Sequence, residues 1–201
     1  MVENDSQDSP TGERGGGDSS SEHSKGMYLR FGGMILTAMV VMYATMFVAS
    51  WEWSHIRWSY SRLFMTLTMG GTMGLIMLAW MLNMYRNAKL NLVVVAASLL
   101  LLGAGVFLDR SQVTVDDVSF NSAMIPHHSM AITRAERARI EDVRVCELAV
   151  EISEAQRREI QEMEWLINDI QQHGIAATPE EAAARPIPDF EVAADRRCPS
   201  S

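Results

Sequence analysis

Three stretches of this chain contain no Asp, Glu, Lys or Arg: residues 31–51, 63–85 and 90–108. A helix needs about 20 apolar residues to cross a bilayer. Inside the hydrocarbon every backbone N–H and C=O must find a partner, which only helices and closed barrels achieve. Each run meets or nearly meets the required length, so three transmembrane helices are expected. Trp51, Trp53, Trp58 and Tyr60 cluster between the first two, where an interfacial aromatic belt belongs. The first run does not read as a cleaved signal, which has a short basic leader and an apolar core of roughly 7–15 residues. Here the leader is long and acidic, and the run reads as a retained helix.

Lys25, Arg30, Arg86 and Lys89 flank one side of these helices, and Arg57, Arg62 and Arg110 the other. The bias toward the first side predicts a cytoplasmic N-terminus and a C-terminal domain outside the cytoplasm, in a multi-pass protein of the plasma membrane. The formal charge of −8 argues against nucleic acid as a partner. The two cysteines, Cys146 and Cys198, lack metal-motif spacing, and a bridge between them is not readable from their positions.

Residues 1–26 are Gly, Ser, Asp and Glu with almost no apolar content and are expected to be disordered. The membrane region is read as 27–109. Beyond Arg110 the pattern changes. Residues 114–117 (Thr-Val-Asp-Asp) resemble a capping box and predict a helix running to about Ile140. Asp142 is a plausible cap for a second helix and Gly174 its stop. In that helix Cys146, Ala149, Ser153, Gln156, Ile160, Met163, Ile167 and Ile170 alternate spacings of three and four, the a/d seam of a bundle. The hairpin domain is therefore 111–174. Residues 175–201, rich in Ala, Pro and Glu, are expected to be disordered. A two-helix hairpin cannot bury a full core alone, so it should pack on a second copy as a homodimer, or on the membrane helices.

Residues 123–132 read AMIPHHSMAI. Pro126 has no N–H for the carbonyl of Ser122, which predicts a kinked helix; the alternative is a helix that begins near Pro126. Met124 and His127 are three apart, as are His127 and Met130, and Met124 and His128 are four apart, the spacings of neighbours on a helix surface. Thioethers suit soft Cu(I) and imidazole suits copper, zinc, iron and nickel, so the mixture points to copper. A symmetric turn near Glu141 sets residue 127 against about 155, and brings Gln156, Glu159 and Met163 into this region. A buried amide or carboxylate there needs a partner. That partner is either a metal-bearing histidine pair, with Gln156 and Glu159 orienting the imidazoles, or a plain hydrogen-bonded His–Gln–Glu core. In the second membrane segment Met65, Met69, Met73, Met77 and Met81 recur every four residues, beside Gly70 and Gly74. That stripe reads as packing, because Met fills irregular gaps and the glycines let helices approach.

The string Met124-Ile125-Pro126-His127-His128, then Ala131-Ile132, then Gln156-x-x-Glu159-Ile160-x-x-Met163 resembles a bacterial family known only as domain of unknown function number 305, over about residues 112–172. The resemblance implies a ferritin-like helical bundle, and in some members extracytoplasmic copper binding by His and Met. It nominates Met124, His127, His128, Met130 and Met163 as ligands. The chain departs from the family at Arg134, where many members carry methionine, and at Trp165, one position early.

The expectation is an all-α chain: three transmembrane helices followed by an antiparallel two-helix hairpin, a ferritin-like half-bundle anchored in the lipid bilayer. The function expected is copper binding for sequestration or tolerance, with copper ion as the bound species. The alternatives are an interaction module whose His-Gln-Glu cluster only specifies packing, and a ferritin-like redox enzyme. The last is weakened because the hairpin lacks the Glu-x-x-His motif of di-iron bundles.

Overall fold

The computed structural model describes residues 16–199; residues 1–15 of the expected N-terminal tail, and 200–201, lie outside the described residues. The described chain is all-helical: α1 (Gly16–Thr45), α2 (Tyr60–Trp80), α3 (Ala88–Ser111), α4 (Asp117–Arg137), α5 (Val143–His173) and α6 (Pro179–Ala184), with a 3₁₀ turn at Trp53–His55. Three segments are long and apolar enough to span a membrane: Lys25–Thr45, Tyr60–Trp80 and Ala88–Ser111. Their outward side chains are apolar, among them Leu92, Leu100 and Phe107. In water such a surface is a liability; in lipid it is solvated.

The first span ends at Thr45, six residues short of the charge-free run, because residues 46–59 form a loop that leaves the span. Trp53 and Trp58 of that loop are exposed, as an interfacial belt requires, but Trp51 packs against the core of the hairpin. Helix caps are local. Ser59 accepts from Arg62 N–H, Asn87 from Lys89 and Leu90 N–H, and Asp142 from Arg144 N–H. Asp116, rather than Thr114, caps α4 by accepting from Ser119 N–H at 2.7 Å. Gly174, at φ +79°, closes α5 where a side chain is disfavoured.

Helix α2 packs on both α1 and α3. The α2–α3 contact is set by glycine. A Cβ on Gly71 would lie 2.5 Å from Ser98 O and 2.6 Å from Leu102 N, and one on Gly105 2.7 Å from Thr68 N. These are backbone atoms and cannot swing away. Gly70 and Gly74, picked out by their spacing, instead face the side chains of Met39 and Ser98. Met69, Met73 and Met77 line a groove with Met42 on the outer surface of this bundle.

Helices α4 and α5 form the antiparallel hairpin. The buried residues of α5 are Cys146, Ala149, Ser153, Ile160, Met163 and Ile167, all on the predicted seam. Pro126 lies inside α4, not at its start, and is fully buried. An interior proline costs roughly 3 kcal/mol in an isolated helix; here the ring fills core space beside Ile125.

The stretch after α5 departs from the disorder its composition predicts. It folds back along the hairpin. Cys198 is disulfide-bonded to Cys146, and Ala194 is buried. The backbone N–H groups of Asp195 and Arg196 donate to the Glu136 carboxylate, and the Arg196 guanidinium to the carbonyls of Ala135, Glu136 and Ala138, the open C-terminal end of α4. A helix end needs such donors for its last carbonyls. The stretch is held by polar backbone and side-chain contacts, which a count of apolar residues does not register.

Gly71→Leu is expected to separate α2 from α3 and leave the hairpin intact. Cysteine crosslinking between Leu67 and Leu102 positions in native membranes would show it; undiminished crosslinking would refute the close-approach argument.

Candidate functional site

Five residues from the sequence pattern meet on facing turns of α4 and α5. His128 Nδ1 lies 2.9 Å from Glu159 Oε2, and its side chain is 13% exposed. The contact is not aligned as a hydrogen bond, and Nδ1 is a buried nitrogen without a partner. Gln156 Nε2 donates to the same Glu159 oxygen at 3.1 Å. Met163 is buried in the cluster of Ile125, Ile132, Ile160 and Ile167, and Met124 packs against that cluster. Since α4 and α5 are antiparallel, 124 and 163 lie one turn beyond the 128–159 pair, on the same side. The site is thus an imidazole–carboxylate rung next to a two-thioether rung. Glu159 opposes His128 more than one turn further along α5 than a symmetric turn near Glu141 predicts.

The other two nominated ligands stand apart. His127 is exposed, its ring 5.9 Å from that of His128 at 62°. Met130 turns its sulfur to Arg62, whose Nη2 approaches it at 3.8 Å. Arg134 is exposed, so its charge lies in solvent. Burial pushes the His128 imidazole below its ordinary value; Glu159 pulls it up, His127 pushes it down, and burial wins. His128 is therefore neutral at neutral pH, the form that offers a lone pair. Among the described residues no three side chains of His, Cys, Asp and Glu gather as a metal-holding group. Any ion here depends on the thioethers.

Beside this site is a junction that sequence reasoning missed. Ser129, next to His128, is fully buried. Its Oγ accepts the Trp51 N–H at 2.7 Å and lies 2.9 Å from His55 Nδ1. With two lone pairs and one proton, the hydroxyl holds both partners at once, and the His55 tautomer sets which of that pair donates. Buried Arg62, at the start of α2, donates to Met46 O at 2.6 Å and stacks 4.0 Å from the Phe47 ring centre. Arg57 pairs with Glu164 at 2.8 Å. The loop after α1 is thus bolted to the hairpin. A polar residue on the buried face of α4 was the one signal of it.

The family described as "Domain of unknown function (DUF305)" matches residues 117–193. The chain is also 30% identical, over 139 residues, to an uncharacterized protein of Acanthamoeba polyphaga mimivirus, a match covering 68% of this chain and 90% of that protein. This is a DUF305 protein. The 139 matched residues exceed the DUF305 domain and all that follows it, so the likeness reaches back into the long apolar helices. The DUF305 match also runs past α5 into the folded-back C-terminal stretch. No solved structure matches.

Two outcomes are expected. Ser129→Ala leaves the half-buried Trp51 N–H without its acceptor and should lower stability by about 1 kcal/mol; a thermal melt unchanged from wild type would dismiss the bolt. Because His128 has a depressed pKa when folded, the unfolded chain binds its proton first as pH falls. The metal-free protein should therefore lose stability from about pH 6.5 downward, through the folded value. His128→Gln should flatten that slope in melts taken between about pH 7.5 and pH 5.

Proposed function

We propose that this DUF305 protein is a membrane-anchored copper-binding protein that sequesters Cu(I) at the His128 rung. The observation that carries the reading is the neutral His128 imidazole, whose Nδ1 faces the Glu159 carboxylate at 2.9 Å and so leaves the Nε2 lone pair for an ion, one turn from two thioethers. Soft thioethers with imidazole favour Cu(I) over harder ions. In this reading His128, Met124 and Met163 are the principal ligands, and His127 joins from the surface. Glu159, held by Gln156, orients the imidazole. Met130 has the weakest claim, since a ligand next to a guanidinium would bring an ion against a positive charge.

The hairpin lies outside the cytoplasm in this proposal. The Cys146–Cys198 disulfide supports that side, because disulfides persist in oxidising compartments. A homodimer through the hairpin is supported by the apolar side chains Phe120, Val145, Leu148 and Ile152, each at least 39% exposed.

The test is Cu(I) affinity of the full-length protein in detergent, by competition with a chromophoric chelator. His128→Ala and the paired Met124→Leu/Met163→Leu should each weaken binding by at least about tenfold, the scale of a lost or misoriented ligand. Met130→Leu should leave it unchanged. Equal binding by all variants would move the ion elsewhere. No binding by wild type would leave a His-Gln-Glu cluster that only specifies packing.

A further inference from the structure

We propose that residues 186–199 form a redox-latched lid over a cleft between the membrane-proximal loop and the hairpin. The cleft, of about 390 Å³, is walled by Trp51 and His55 of the loop and by Arg157, Ile160 and Glu164 of α5. Its remaining edge is Glu191, Val192 and Ala193. Those three residues lie just before the segment that the bridge ties down. This inference is independent of copper binding.

The lid is held in two ways. One is a set of polar contacts: Asp195 pairs with Arg157 at 2.7 Å, Ala194 N–H reaches Glu154, and Asp195 and Arg196 N–H reach Glu136. Such contacts fix where the segment docks. They bring little apolar burial, since within 186–199 Ala194 is the buried residue. The other is the bond to Cys146, which spans 52 positions of chain. Without the bond, redocking competes with the freedom of a long tail. The polar contacts define the closed position and the bond sets its occupancy.

The bridge is also presented unequally. Cys146 is 4% exposed, while Cys198 is half-buried and lines a groove of about 360 Å³ with Glu147, Val150, Glu151, Arg196 and Arg197. An incoming thiolate therefore reaches the Cys198 sulfur. For a dithiol reductant the steps balance. One thiolate attacks Cys198 Sγ, the S–S bond breaks, and Cys146 leaves as a thiolate and takes a proton. The second thiol resolves the mixed disulfide, freeing Cys198 as a thiol. Two electrons and two protons pass to the protein, and the reductant ends as a disulfide. The lid then parts from Glu136 and Arg157, and the cleft opens on its Glu191–Ala193 edge.

The experiment is hydrogen exchange on the full-length protein in detergent, oxidised and after dithiothreitol, with Cys198→Ser alongside. Reduction should speed exchange by at least tenfold at Ala194, Asp195 and Arg196, whose N–H groups are the hydrogen-bonded ones of the lid. The interiors of α4 and α5 should keep their protection, and reoxidation should restore the closed pattern. A lid that stays protected after reduction would overturn the proposal, since the polar contacts would then suffice. Joint loss of protection in the lid and in α4 and α5 would also overturn it, making the bond a staple of the whole hairpin. If Cys198→Ser does not fold, the reduced wild type still decides, because it is folded before the bond is cut.

Discussion

Two helices cannot enclose a core between them, and that shortfall organises the C-terminal half of this molecule. A pair of helices has one shared seam, and every other face must be covered by something else. On one side the cover is Trp51, from the loop after α1, set against the cluster of Ile125, Ile132 and Ile160. Its ring is flanked by the guanidinium groups of Arg137 and Arg157, 5.1 and 5.2 Å from its centre. On another side the cover is the C-terminal segment, brought back by the Cys146–Cys198 bond. The hairpin is completed from both directions along the chain, and its position beside the apolar helices follows from the first of these covers.

Glu136 shows how the second cover is fixed electrostatically. Its carboxyl is 3% exposed, and burial by itself would raise it. Hydrogen bonds from Ser153, from Asp195 and Arg196 N–H, and from Arg157 outweigh burial and hold it below the ordinary carboxylate range. An ionised, buried carboxylate is tolerable only with that many donors. All four come from outside α4, so the charge on one helix end recruits α5 and the C-terminal segment together.

The sequence made the periodic parts legible and hid the parts held by single polar atoms. The α5 seam could be read because a spacing of three and four leaves few alternatives, and the buried set falls on it. The spans could be read because charge is so costly in lipid. The pairing of His128 with Glu159 was found in kind but shifted in register, because a short connection between helices has no period to count. Ser129, His55 and Trp51 meet through one hydroxyl. Nothing in a local pattern announces a bond between a helix and a loop more than seventy residues away. The folded-back segment was hidden by its composition. Its only cue was Cys198, half of the chain's two cysteines.

The same scarcity of cover bears on the candidate site. Pro126 gives up one backbone bond, leaving Ser122 O without its usual donor, and its ring is buried instead of turned to solvent. His128 follows within two residues, with a nitrogen that finds no aligned donor or acceptor. Natural cores leave few such groups, and each one calls for a reason. Both irregularities fall on the one turn of α4 where Met124 and Met163 bring thioethers to the seam. A core chosen only for packing would fill this turn with another Ile, as it does at Ile125 and Ile132. Among the described residues, this turn and the facing turn of α5 bring together a proline, a half-buried imidazole and two polarizable sulfurs, which is the physical argument for treating it as a place where something is held.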